Sequence, residues 1–275
     1  MGQGAADERA GMYEAYWGLS AAPFQNVPDP RFFCPLPACR ELLEKLLYVV
    51  EHGKGGAVVT GEVGCGKSTL SRIFLLQLEE DRYDIGLVIN PSMPADELLT
   101  EIALQLGVAP SGSQRSALFR ALDEQLVKNA QAGKTTILII DEAHTIKDEA
   151  VFEDLRMLLN FQFNDRQLLT LILLGPPELR EVMARHGALQ QRLPLRLNLA
   201  PLTETETAAY IEFRLEKAGA TRPIFTAEAV KAIAEATGGI PRRINNLADL
   251  CLFEGWKKRA KAVDTSVVRA AQGSL

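Results

Sequence analysis

Short runs of apolar residues alternate along the chain with longer stretches whose apolar positions recur every three or four residues. The runs at 57–60, 85–90, 135–140, 168–175 and 195–199 predict strands. Those at 137–140 and 171–174 are apolar at every position, as in strands buried on both faces. Helices are predicted over 40–50, where Leu42, Leu43, Leu46, Leu47 and Val50 form a stripe, and over 67–78, 94–106, 116–130, 149–159 and 177–185. Strands alternating with helices imply an α/β fold, a parallel sheet covered on both faces. After Pro201 the strand pattern stops. Helices are predicted over 204–218, 227–237 and 243–258, with a short one over 265–271. Thr203 with Glu206 reads as a capping box and Thr226 as a second cap. Gly238–Gly239–Ile240–Pro241 breaks the chain before the third helix. The expected division is an α/β domain over 13–201 and an all-helical lid over 202–275. Residues 13–34, rich in proline, aromatics and turn residues, read as an ordered arm of the first domain, extending to 36. Residues 1–12 read as a disordered leader, or as an upstream start before Met12.

Composition narrows the class. With 275 residues, 47% hydrophobic and 24% charged, the chain has the make-up of a soluble globular protein. A formal net charge of -5 excludes a uniformly basic nucleic-acid binder and leaves room for a local basic face. The apolar runs are far too short to cross a bilayer. No signal-peptide pattern opens the chain. Four cysteines do not suggest a disulfide framework. Cys34 and Cys39 lack a second pair at zinc-ligand spacing. A reducing cytoplasm is the simplest setting.

Two motifs carry chemistry. Gly61–Glu62–Val63–Gly64–Cys65–Gly66–Lys67–Ser68 matches G-x-x-x-x-G-K-[ST] between a predicted strand and a predicted helix, the context that motif requires. Its glycines let backbone N–H groups turn onto phosphate oxygens, backed by the positive end of the helix. Lys67 is expected to neutralise β- and γ-phosphates and Ser68 to ligate magnesium, with Thr69 next in the phosphate-binding stretch. Cys65 fills a variable position, as a spacer or as a thiol whose oxidation blocks nucleotide. The second motif places Asp141 and Glu142 after the apolar run 137–140, at the sheet edge where α/β proteins bind ligands. Asp141 is expected to hold magnesium, and Glu142 to orient and deprotonate the attacking water. Asp141–Glu142–Ala143–His144 also spells a helicase box, but further helicase motifs and a second sheet domain are not visible. His144 reads either as a polar group near the γ-phosphate or as a surface histidine.

At this point the chain resembles a known group, the AAA+ ATPases of the ExeA/GspA type found in secretion, type IV pilus and exopolysaccharide systems. The resemblance is carried by Tyr16–Trp17–Gly18–Leu19 with Pro23–Phe24 and Pro28–Asp29–Pro30–Arg31–Phe32, by the two motifs above, by Leu158–Leu159–Asn160–Phe161–Gln162, and by Gly238–Gly239–Ile240–Pro241–Arg242–Arg243–Ile244–Asn245. It implies a P-loop NTPase of AAA+ type with a helical lid, ATP and Mg2+ as cofactors, and ATP hydrolysis. It further implies Arg242 as the lid arginine reaching the γ-phosphate, and Arg192 as a finger reaching a neighbouring subunit's ATP, with Arg185 and Arg196 as rivals. A homo-oligomer, ring or nucleotide-dependent assembly, and a protein partner in an envelope system follow from it. So does a place in the cytoplasm or at the periphery of the inner membrane.

Two departures stand out. Pro176 occupies a position where the family commonly carries glutamine, and proline cannot donate a hydrogen bond. Slow hydrolysis, or a substitute polar group such as Asn160, is therefore expected. Secretion-type members also continue into a membrane span and a peptidoglycan-binding domain, so the chain reads as a freestanding relative or a fragment. Besides the assembly ATPase, two readings stay open. One is a DNA-associated ATPase of transposition or replication type, resting on Trp256–Lys257–Lys258–Arg259–Ala260–Lys261, whose cations suit a helix end equally well. The other is a weakly hydrolysing scaffold, motivated by Pro176. Tyr13, Tyr16, Trp17, Phe24, Phe32 and Phe33 either form a partner surface or pin the arm over the sheet and line the adenine pocket.

Overall fold

A computed structural model of the chain describes residues 13–27, 29–109, 114–163 and 166–274. The leader expected over 1–12 lies outside these residues, as does Pro28 of the arm. The helices are α1 (Glu14–Trp17), α2 (Pro37–Glu51), α3 (Lys67–Leu76), α4 (Ala95–Gln105), α5 (Arg115–Gln131), α6 (Ala150–Leu158), α7 (Leu179–Arg185), α8 (Gly187–Gln190), α9 (Glu204–Lys217), α10 (Ala227–Thr237), α11 (Pro241–Lys257) and α12 (Thr265–Gln272). The strands are β1 (Gly56–Gly61), β2 (Tyr83–Val88), β3 (Thr135–Ile140), β4 (Gln162–Phe163), β5 (Arg166–Gln167), β6 (Leu169–Gly175) and β7 (Leu195–Leu199). The described residues divide into two compact units, one of 38–62 with 70–199, the other of 13–37, 63–69 and 200–274.

In the first unit a five-stranded parallel sheet runs in the order β2-β3-β6-β1-β7. Ile137, Leu138, Ile139 and Ile140 are all fully buried, which is why this strand is apolar at every position rather than alternating. One set of side chains, Val58, Leu138, Ile140, Leu171 and Leu173, packs into a core with Leu99, Leu122, Leu155 and Met183 from helices α4 to α7. Each such fully buried aliphatic side chain contributes on the order of 1.5–3 kcal/mol. The alternate set, Val59, Ile137, Ile139, Ile172 and Leu174, is equally buried. Register fixes the functional edge. Thr60 lies opposite both Gly175 and Asn198, so β1 and β6 end within one residue of each other, while Ile140 lies opposite Leu173, so β3 ends two residues short of the end of β6. The antiparallel pair β4-β5 between α6 and β6, two residues in each strand, is too short to have shown a period in the sequence.

The second unit is built on α9 to α12. Thr203 Oγ1 accepts from the Glu206 N–H at 3.2 Å while Glu206 Oε2 accepts from the Thr203 N–H at 2.9 Å, the expected capping box. Thr226 caps α10 in the same way, through the Ala229 N–H. α11 starts at Pro241, two residues before the predicted start, because proline's fixed φ suits the first helical position. Gly238 and Gly239 have φ of 60° and 72°, and a Cβ on Gly239 would lie 1.9 Å from the Leu202 carbonyl oxygen. That double glycine folds the chain back so that Leu202 N–H donates to Gly239 O at 2.8 Å.

The arm differs from its expected place with the sheet. Its described contacts are with the helices. The Trp17 indole N–H donates to Leu252 O at 2.9 Å, and the ring lies over Gly255, where a Cβ would come within 2.7 Å of it. Phe24 meets Phe225 edge to face at 6.1 Å. Buried Arg214 donates to Gln25 O at 2.9 Å and to Pro23 O, with its guanidinium 5.2 Å from the Phe32 ring centre. The aromatic residues are thus largely consumed in holding the arm, with Trp17 2% and Phe24 3% exposed.

Candidate functional site

The Gly-rich loop leaves the sheet where β1 ends. Gly61 is still paired with Leu199, and a Cβ there would lie 2.5 Å from Leu199 O. Gly64 and Gly66 take φ of 90° and 98°, a left-handed backbone that L side chains rarely adopt. Alternating handedness of this kind turns consecutive N–H groups to one side as an anion-binding nest, and α3 begins directly after it at Lys67. Lys67 and Cys65 are buried, while Val63 and Ser68 are exposed. Arg242 comes to the same loop. Its backbone N–H donates to Gly64 O at 3.2 Å, and a Cβ on Gly64 would lie 2.9 Å from the Arg242 Cβ. Its side chain remains exposed.

Asp141 follows β3 and is 5% exposed. Its N–H donates to Val88 O at 2.8 Å, and its Oδ1 accepts the Glu142 N–H at 2.9 Å. Glu142 stands in the left-handed region at φ 51° and ψ 36°. For a residue with a Cβ this costs on the order of 1 kcal/mol. A 3-10 turn, Ala143–Thr145, follows at once, and Thr145 donates to Glu142 O from both N–H and Oγ1, at 2.9 and 2.8 Å. His144 Nδ1 lies 3.4 Å from Glu142 Oε2.

Pro176 follows β6 as a buried residue whose carbonyl accepts the Leu179 N–H at 3.0 Å. Asn160 does not stand in for it. Asn160 closes α6 just ahead of the β4-β5 hairpin, at the edge where β6 begins. The length of β6, roughly 20 Å, separates it from Pro176. The polar group found at the carboxyl edge is one the sequence reading passed over. Arg180 donates from Nε and Nη2 to Thr60 Oγ1 at 3.0 and 2.9 Å, and from Nη2 to Asn198 Oδ1. Thr60 is the residue immediately before the loop. Nothing in the local sequence marks Arg180, since its partner is 120 positions away.

Arg192 sits at the opposite edge. Its carbonyl oxygen would meet a Cβ on Gly55 at 2.3 Å, so it flanks the start of β1. The strand puts roughly 17 Å between that point and Gly61, more than an arginine side chain spans. Its half-buried side chain is therefore kept off the carboxyl edge of its own sheet. Arg185 ends α7 and Arg196 lies on β7 opposite Val58, both exposed.

A hydroxyl such as that of Ser68 and a carboxylate such as that of Asp141 are each hard oxygen donors of the kind Mg2+ takes. Among the described residues no group of three His, Cys, Asp or Glu could hold a metal alone. The basic run at the end of α11 is partly engaged. Lys257 pairs with Glu254 at 2.9 Å, as expected of cations completing a helix end. The described cysteines form no disulfide, and burial pushes the Cys251 thiol up to about 12.

A family model described as AAA domain matches residues 50–183. General secretion pathway protein A of Aeromonas hydrophila is 34% identical over 250 residues, 90% of this chain. The chain spans 45% of that relative's length. Among solved structures, the ORC2 protein of Aeropyrum pernix in its ADPNP–ADP complexes superposes with a TM-score of 0.68 at 17% identity, over 91% of this chain and 71% of that one. Drosophila ORC bound to DNA gives 0.68 at 17% identity, over 96% and 66%. Both likenesses are of fold. The parallel sheet, the Gly-rich loop after its first strand and the helical C-terminal region, taken with these matches, give the chain the P-loop NTPase fold of AAA type, with sequence similarity to general secretion pathway protein A.

Proposed function

We propose that the chain binds ATP with Mg2+ and hydrolyses it, as the nucleotide-driven component of an envelope assembly system of the secretion type. The observation that carries this reading is that β1 and β3 run parallel in one sheet, so that the Gly-rich loop after β1 and Asp141 with Glu142 after β3 both leave at its carboxyl edge. The N–H groups from Gly61 to Thr69 hold the phosphates, and Lys67 neutralises their charge. Ser68 and Asp141 hold Mg2+, which offsets charge on the β- and γ-oxygens when bound. Glu142 takes a proton from water. Arg242 reaches the γ-phosphate of its own chain, and Arg192 serves the site of a second copy. No described helix is long and apolar enough to cross a membrane. A cytoplasmic location, at the periphery of the inner membrane, fits the related secretion protein.

A nucleotide-dependent scaffold is the second reading, and Pro176 favours it, since a buried proline supplies no donor where a sensor belongs. Steady-state ATP turnover separates the two. The hydrolase reading expects turnover that falls by at least about 100-fold in Glu142→Gln, with binding of a non-hydrolysable analogue retained. Tight binding with no turnover under any condition supports the scaffold. The DNA-associated reading expects binding that weakens steeply with salt and needs Lys258, Arg259 and Lys261.

A further inference from the structure

We infer that His144 is a positioning residue for Glu142: its Nδ1–H holds one carboxylate oxygen so that the other is aimed at water. The inference rests on the hydrolase reading above. The Glu142 backbone is pinned on both sides, its N–H on Asp141 Oδ1 and its carbonyl under the two Thr145 donors. In the left-handed conformation that results, only the side-chain torsions decide where the carboxylate points. The side chain is 46% exposed, so packing alone leaves it loosely held.

His144 supplies what is missing. It follows in the 3-10 turn, with its side chain 29% exposed, and its Nδ1 is shut off from solvent without a hydrogen-bond partner among the described residues. A buried polar atom left in that state costs on the order of 1–3 kcal/mol, so its presence calls for a reason. The charged group facing it is Glu142 Oε2 at 3.4 Å. A closure of about 0.5 Å makes an ordinary N–H···O bond. Chemistry also selects the tautomer. A lone pair on Nδ1 would face the lone pairs of the carboxylate, whereas an N–H is attracted to them. With Oε2 held, Oε1 is left for the water. The water oxygen bonds to the γ-phosphorus as the bond to the β-phosphate oxygen breaks. ADP leaves with that electron pair, and the water's proton passes to Oε1. His144 keeps its own proton throughout.

Three variants of the full chain test this. The asparagine amide of His144→Asn stands as many bonds from Cα as Nδ1 does, while that of His144→Gln reaches about as far as Nε2. His144→Ala is expected to lower kcat about tenfold, with KM and analogue binding within about twofold. His144→Asn is expected to recover most of the rate and His144→Gln not to. In a Glu142→Gln background, His144→Ala is expected to add nothing. Wild-type kcat in His144→Ala overturns the inference, and so does equal rescue by Asn and Gln. Analogue binding lost in parallel with kcat also overturns it, showing a structural role. If the wild-type chain itself fails to turn over ATP, the hydrolase reading falls and this inference with it. Turnover by wild type and His144→Ala alike removes only the inference.

Discussion

Arg180 and Thr60 are 120 residues apart, yet two guanidinium nitrogens rest on the Thr60 hydroxyl and one reaches Asn198. This places a permanent cation at the strand end from which the phosphate loop departs. Removing it should cost the fold little, because Thr60 Oγ1 already donates to Asn198 Oδ1 at 3.2 Å and to Leu197 O at 3.3 Å. Arg180→Ala is therefore expected to weaken binding of a fluorescent ATP analogue by about three- to tenfold. Its melting temperature should move by less than about 3 °C. Arg180→Lys should recover part of the loss, keeping the charge without the fork. Unchanged analogue affinity in Arg180→Ala would remove the residue from the site. At this scale the sequence was readable where chemistry is written in consecutive residues. Gly61 to Ser68, and Asp141 with Glu142, are marked as candidates by spacing alone. Arg180 and the His144 contact depend on where side chains meet in space, and Asn160 was misplaced because α6 carries it to the far edge of the sheet.

Elements were legible to the extent that their patterns are long. β3 and β7 occupy the expected residues, and most helices begin and end within two of them. Single-turn α8 and hairpin β4-β5 were missed because neither completes a period. The arm was missed differently. Its proline and aromatic content says that it packs, but not against what. Trp17→Ala removes a ring that is 2% exposed and the indole hydrogen bond to Leu252 O. A loss of about 3–5 kcal/mol is expected, read by denaturant unfolding. The arm also carries a pH signature. The Tyr13 hydroxyl donates to Asp249, whose carboxyl is held above its usual range by burial, against the hydrogen bond from Tyr13 and with help from the charge of Glu14. Between the ordinary aspartate range and that raised value, the folded chain binds more protons than the unfolded one. Stability therefore falls as pH rises through that window. Asp249→Asn keeps an acceptor for Tyr13 and removes the charge. Thermal melts across acidic pH are expected to show the slope in the wild type and a smaller one in the variant. Equal slopes would assign it to other groups.

At the scale of the whole molecule, the position of Arg192 decides how many chains make a working site. It stands at the amino edge of the sheet, roughly 17 Å along β1 from Gly61, so a role in phosphate chemistry has to be exercised on a neighbour. On the proposed reading, each complete site would draw Lys67, Asp141 and Glu142 from one chain and Arg192 from the next. A head-to-tail interface of this kind has a consequence that an isolated chain lacks. Arg192→Ala alone should be inactive, since such a finger is worth roughly 10³–10⁵ in rate. Glu142→Gln alone should also be inactive. In a mixture of the two, an interface that takes Glu142 from an Arg192→Ala chain and Arg192 from a Glu142→Gln chain contains every wild-type group. Random assembly of equal amounts puts about a quarter of interfaces in that state, so two dead proteins should together recover about a quarter of the wild-type turnover. Mixing with Arg185→Ala or Arg196→Ala in place of Arg192→Ala identifies which arginine crosses the interface. An active Arg192→Ala, or mixtures that all stay as inactive as their components, would overturn the role of Arg192 across an interface.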